Sequence, residues 1–145
     1  MRTMKAFAVM SFVAGLLLPH AAGAASAFAA AIPSDVAGQG MSYGTAYNYS
    51  TRAAAELAAV QRCQSQTNTP AATLALCKVM AHFDGECLSV SLDPKDGTPG
   101  YGWAVGVTAD IANTQSLAFC RATAGPDRAG FCVISASNCD TSSGP

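Results

Sequence analysis

Along Phe28–Ile32 (FAAAI) the positions Phe28, Ala30 and Ile32 alternate with alanine, and along Leu88–Leu92 (LSVSL) Leu88, Val90 and Leu92 alternate with serine. Period two is the mark of a half-buried strand. Each run is followed by turn residues, Pro33-Ser34-Asp35 in the first case and Asp93-Pro94-Lys95-Asp96-Gly97 in the second. There Pro presets φ and Gly admits positive φ. A second strand follows, opening with Tyr-Gly at Tyr43 and at Tyr101, and then an Ala-rich segment that ends at a cysteine. Thr51 to Cys63 and Thr108 to Cys120 have the same spacing. Ser50 or Thr51, and Thr108, are placed to cap helices by accepting a backbone N–H. Ala53–Ala59 is rich in helix-forming residues. Ala53, Leu57 and Val60 are expected to form the inner stripe of the first helix, and Ile111, Thr114, Leu117 and Ala118 that of the second. A last alternating run starts at a cysteine in each half, Cys77–Phe83 and Cys132–Ser137.

The chain therefore says the same thing twice. The expected fold is α+β: two pseudo-symmetric β-β-α-β repeats, residues 28–83 and 86–139, forming antiparallel sheet with two packed helices. The polar insert Gln64–Thr73, which contains Pro70, reads as a surface loop with a short helical turn before Cys77. Residues 140–145 read as a flexible tail after a single domain spanning 25–139.

Residues 1–24 have the layout of a signal peptide. Arg2 and Lys5 precede the uncharged apolar run Ala6–Leu18, and Ala22-Gly23-Ala24 fits a small-residue cleavage site. The apolar run is shorter than the roughly 20 residues of a membrane-spanning helix. The expected product is exported, periplasmic or extracellular, with no membrane association after cleavage. Of eight basic residues two lie in this leader, so the remainder carries a net charge of 6 − 9 = −3. With no basic cluster, no nucleic-acid partner is expected.

All six cysteines (Cys63, Cys77, Cys87, Cys120, Cys132, Cys139) lie after the leader. An even count in an exported chain implies three disulfides. Zinc has little to bind: there is no C-x-x-C, and His82 is the only histidine outside the leader. No cofactor is implied.

The order Y-G-x-x-x-x-Y-x-[ST]…C, C-x-V-x-x-x-F-x-x-x-C, Y-G-W-x-x-G-x-T…C and a closing segment from C-V-I to Cys is carried by Tyr43–Cys63, Cys77–Cys87, Tyr101–Cys120 and Cys132–Cys139. It resembles a bacterial exported family described as domain of unknown function 4189. That resemblance implies secretion and a disulfide-bonded fold, and it brings no catalytic residues. The long Gln64–Thr73 insert and Val105, where an aromatic is common, depart from the pattern without disturbing the cysteines.

Six cysteines allow 15 connectivities. The repeat favours Cys63 with Cys77 and Cys120 with Cys132, each tying a helix end to the next strand, which leaves Cys87 with Cys139. Catalytic thiol chemistry is the competing reading.

His82, Asp84 and Glu86 alternate and could present a histidine and two carboxylates to a metal or a substrate proton. A solvated strand face running into an Asp84-Gly85 turn outweighs that reading. Asp93 and Asp96 belong to a hairpin turn, with spacing unlike an EF-hand. Gly97, Gly100 and Gly102 precede a strand and not a helix N-terminus, which removes the basis for a phosphate loop. The Tyr-Gly strands remain. Tyr43, Thr45, Tyr47 and Tyr49 share one face, as do Tyr101, Trp103, Val105 and Val107, while the opposite faces carry Gly, Ala and Asn. If helices press on the bare face, Tyr43, Tyr47, Tyr49, Tyr101 and Trp103 form an open surface for a protein or glycan partner. Otherwise they are core. The functional expectation is a non-catalytic binding module. The alternatives are an inhibitor or immunity-type protein of an envelope-acting enzyme, and a hydrolase or metal-dependent enzyme around His82.

Overall fold

The structure, a computed structural model, describes residues 25–141. The leader, residues 1–24, and residues 142–145 lie outside the described residues.

Strands β1 (Ala25–Ala31), β2 (Ser42–Tyr49) and β3 (Lys78–Phe83) form one antiparallel sheet in the order β2-β1-β3. Strands β4 (Cys87–Leu92), β5 (Tyr101–Gly106) and β6 (Val133–Cys139) form a second, ordered β5-β4-β6. The first strand of each repeat is thus the central one. A short helix α1 (Val36–Gln39) follows β1. Helix α2 (Arg52–Gln64) follows β2, and Thr51 caps it by accepting from Ala54 N at 3.2 Å. Helix α3 (Ala71–Leu74) is the turn inside the insert. Helix α4 (Ala109–Ala124) follows β5, capped by Thr108 from Ile111 N at 3.3 Å.

The helices lie on the bare faces of the sheets. The reason is at Gly44 and Gly102. A Cβ at Gly44 would sit 2.2 Å from Ala59 O and 2.4 Å from Cys63 N, and at Gly102 the same distances from Ser116 O and Cys120 N. Helix backbone therefore touches strand backbone, and only small residues fit between them. The buried stripes are Ala55, Ala59 and Cys63 on α2, and Ala112, Ser116, Cys120 and Ala124 on α4. This corrects the expected stripes. Leu57 is 60% exposed and Ile111 41%, because large residues would hold the helix off the sheet.

The other face of each sheet carries the bulky residues, and these two faces meet. Phe28, Ala30, Phe83, Leu88 and Val90 form one cluster drawn from both sheets, with Tyr43, Tyr47, Met80 and Trp103 packed around it. The Phe28 and Trp103 rings stand 5.0 Å apart, and those of Tyr47 and Phe83 5.8 Å. The layers run helix, sheet, sheet, helix. Because equivalent faces of the two repeats meet, a pseudo-twofold axis passes between them. Each buried Phe or Leu here contributes about 1.5–3 kcal/mol.

Two irregularities shift residues between faces. Asn48, with φ of 60°, accompanies a bulge against Ala25–Ala27 that turns Tyr49 to the helix side, where it packs beside α2. Tyr49 therefore does not share the face of Tyr43 and Tyr47. A second bulge lies in β3, between the partners of Phe28 and Ala29, so Cys77, Val79, Ala81 and Phe83 do not form one apolar face.

The disulfides join Cys63 to Cys77, Cys120 to Cys132 and Cys87 to Cys139. The first two fasten a helix end to its returning chain. Their sequence separations of 14 and 12 residues correspond to about 3 kcal/mol each in the chain-entropy account. Cys87 and Cys139 stand directly opposite each other on β4 and β6. Asp140, assigned to a tail from sequence, is buried and accepts from Ser26 Oγ at 2.9 Å, and Thr141 bonds Asn48. The end of the second repeat is thereby tied to the first.

Under α4, Ser116 Oγ lies 2.8 Å from Ser89 Oγ and 2.7 Å from Ser91 Oγ, all three buried. The first repeat has Ala59, Ala29 and Ala31 at the equivalent positions. Ser116→Ala should therefore cost about 1–3 kcal/mol in urea denaturation by stranding two hydroxyls. The triple change of Ser89, Ser91 and Ser116 to Ala restores the first repeat's packing and should cost less than the single one. Gly102→Ala drives a methyl into backbone and should destabilise by about 1–3 kcal/mol. Gly130→Ala, where a Cβ meets nothing within 4 Å, is the near-neutral control in the same assay.

Candidate binding groove along the outer edge of strand β5

Tyr43, Tyr47 and Trp103 are half-buried between the sheets, and Tyr101 is half-buried beside them at the outer end of β5. The aromatic residues thus do not make one surface. Helices do press on the bare face, yet the opposite face is covered as well, by the other sheet. Tyr43 Oη lies 3.0 Å from Ser135 Oγ of β6, and burial pushes the Tyr47 phenol above its ordinary pKa.

His82, Asp84 and Glu86 line a groove of about 380 Å³ with Ala25, Ser26 and Arg52. They are not on one strand. β3 ends at Phe83, and Gly85 turns the chain with φ of 68°. His82 pairs across β1 with Ala27, whose side chain lies under α2, whereas Ser26 belongs to the opposite face. The Ser26 hydroxyl donates to Asp140 and accepts from Asn48 N at 3.2 Å. Both its hydrogen-bonding functions are used, so histidine and hydroxyl do not form a nucleophile and base. Among the described residues no three His, Cys, Asp or Glu side chains stand together as metal ligands. No helix among them is long and apolar enough to cross a membrane.

Asp93 is buried rather than a solvated turn residue. Arg128 grips it at both oxygens, Nε to Oδ2 at 2.7 Å and Nη2 to Oδ1 at 2.6 Å, and also covers the Phe131 ring at 4.1 Å. Asp96 stays exposed in the turn that Gly97, with φ of 74°, completes. Sequence reasoning missed Arg128, which lies 35 residues from its partner in a loop without periodicity.

The repeats also differ at the outer edges of β2 and β5. Each edge runs beside its helix and leaves a groove, about 360 Å³ at β2 and about 430 Å³ at β5. Arg62 lies in the first, hydrogen-bonded to the outward carbonyl of Thr45 and reaching Tyr49 Oη at 3.3 Å. The equivalent residue of the second groove, one position before the helix cysteine, is Phe119, 57% exposed. Trp103, Val105, Gln115, Tyr101 and Thr123 line it as well, and no charged residue does.

The backbone of this edge is aimed outward. Thr123 Oγ1 accepts from Tyr101 N at 2.8 Å and lies 2.6 Å from Tyr101 O, so both groups of Tyr101 point away from β4. Alternation along an antiparallel strand directs those of Trp103 and Val105 the same way. Thr123 satisfies Tyr101; at Trp103 and Val105 the groove is open. Aligning the halves at Thr51 and Thr108 would have set Arg62 against Phe119, which is the signal that could have found this difference.

These features define a disulfide-stapled α+β protein built from a duplicated unit, with one strand edge barred by a cation and the other open. A family model described as "Domain of unknown function (DUF4189)" matches residues 28–139, and the chain belongs to that family. No curated protein and no solved structure matches the chain.

The Arg128 grip, above all its hydrogen bonds, lowers the Asp93 pKa to about 2. An unfolded Asp titrates near 3.9. A depressed carboxylate contributes stability in full above the unfolded value and loses it as pH falls through the folded one. Thermal melts should therefore show the wild type losing Tm between about pH 4 and 2, and Arg128→Gln losing clearly less over that window. Parallel losses would remove the pair as a source of acid sensitivity.

Proposed function

We propose that the protein is an exported, non-catalytic binding module that takes an extended polypeptide segment along β5. The observation that supports this reading is the uncharged groove beside an open strand edge, with Trp103 and Phe119 on its walls. An added strand gains main-chain hydrogen bonds at Trp103 and Val105, and its alternate side chains meet the apolar wall. Aromatic residues supply large contact area with few rotatable bonds. The three disulfides suit this role because they hold the edge in one shape before a partner arrives. Export, argued from the leader, accounts for their oxidation. The reading moves the binding surface from the Tyr faces to one side of the second repeat, keeping Tyr101 and Trp103 of the five aromatic residues.

The test is peptide display against the exported, oxidised protein. Selected peptides should carry apolar or aromatic residues at alternate positions. They should bind Phe119→Arg at least roughly tenfold more weakly, since the cation recreates the barred edge of the first repeat. His82→Ala should leave their affinity unchanged. Peptides that bind Phe119→Arg as well as wild type would overturn this placement of the site.

A further inference from the structure

Resting on that reading of the groove, we infer that the segment which docks there is β5 of a second copy, giving a twofold dimer. The register follows from which backbone groups are available. Tyr101 is already satisfied by Thr123, so pairing falls to Trp103 and Val105. An antiparallel dyad centred on Ala104 sets Trp103 opposite Val105 of the other copy, each pair exchanging both N–H···O bonds. Ala104 then faces its own copy as a pair without hydrogen bonds. That suits a residue whose polar groups already point to β4.

Side-chain faces agree with this register. Trp103 and Val105 both belong to the face between the sheets, so they meet on one side. On the helix side α4 runs antiparallel to β5, with Phe119 beside Gly102 and Ile111 beside Gly106. The same dyad sets Phe119 against Ile111 of the other copy, and Gln115 against Gln115. Phe119 and Ile111, beside Gly102 and Gly106 of β5, are 57% and 41% exposed. A strip that complements itself under a twofold is the requirement for an isologous interface.

The area is sufficient, though small. Helix α4 has 16 residues, about 24 Å at about 1.5 Å per residue. One helix layer and the space between sheets add depths of about 10 Å each. The strip is then about 500 Å² per copy, about 1,000 Å² in all, the lower limit for a specific interface. A weak, reversible dimer is expected of an interface at this end of the size range. The first repeat cannot associate in this way. Arg62 stands where Phe119 would and already holds the Thr45 carbonyl that an added strand would need, leaving a charge in the seam.

Sedimentation equilibrium of the exported, oxidised protein, with hydrogen exchange across the same concentration series, tests this. Wild type should pass from monomer to dimer, and protection of the Trp103 and Val105 amides should rise with the dimer. Phe119→Arg should associate at least roughly tenfold more weakly. Its unchanged melting temperature would show that the fold is intact. Wild type that stays monomeric at about 1 mM, the weak end of the affinity scale, overturns the dimer. So does association that survives Phe119→Arg, or a dimer that leaves these amides unprotected. If the dimer fails while displayed peptides still lose affinity for Phe119→Arg, the binding reading stands and only its occupant is wrong. If both fail, the groove itself is not a binding site.

Discussion

Everything in this molecule depends on helix backbone touching strand backbone at Gly44 and Gly102. No side chain separates the two at these points. A helix seated that deeply can bury only alanine, serine and cysteine, and its stripe is too thin to supply much of the hydrophobic stabilisation. The bulky residues must then lie on the opposite sheet face, and that face needs a cover. The second repeat supplies it, because its own bulky face has the same need. The four-layer arrangement is therefore the consequence of a small-residue contact made twice. It also explains why one repeat would not suffice: alone, it would leave Phe28 and its neighbours facing water.

The disulfides follow from the same geometry. Cys63 and Cys120 are members of the small-residue stripes, buried in the helix–sheet contact, and each ties the helix to the chain returning to the sheet. They fix the helix at the residues whose backbone lies against Gly44 and Gly102. The central strand of each sheet is the first strand of its repeat, so each helix lies across the strand pair formed before it.

The repeat, its element order and the small-residue faces of the Tyr-Gly strands were legible because duplication lets one half check the other. The helix stripes were not. Leu57 and Ile111 attract the eye as apolar, and periodicity does not reveal that Gly44 and Gly102 exclude them from the contact. The fate of the aromatic residues was misposed for a related reason. A single sheet offers two faces, one covered and one open, whereas two sheets cover each other's. Bulges defeated the remaining faces, since one extra residue at Asn48 or in β3 moves Tyr49 and Val79 to the helix side. Arg128 was invisible because nothing local in the chain marks it as the partner of Asp93.

Where the two halves have diverged, the changes are not random in place. Under the helix, Ala29, Ala31 and Ala59 correspond to Ser89, Ser91 and Ser116, three hydroxyls that satisfy one another and alter no surface. At the end of the central strand Pro33 corresponds to Asp93, whose charge Arg128 neutralises internally. Both differences are closed off within the fold. The exchange of Arg62 for Phe119 is not. It takes a cation from a strand edge and leaves an aromatic ring half in water, a loss of solvation that nothing inside the same chain compensates. Edges in soluble proteins are usually blunted by charge, and the first repeat shows that this scaffold can do so with one residue. An edge left open beside an exposed ring would gain its compensation from a segment laid against it, and that difference between the repeats is the physical ground for proposing β5 as the binding edge.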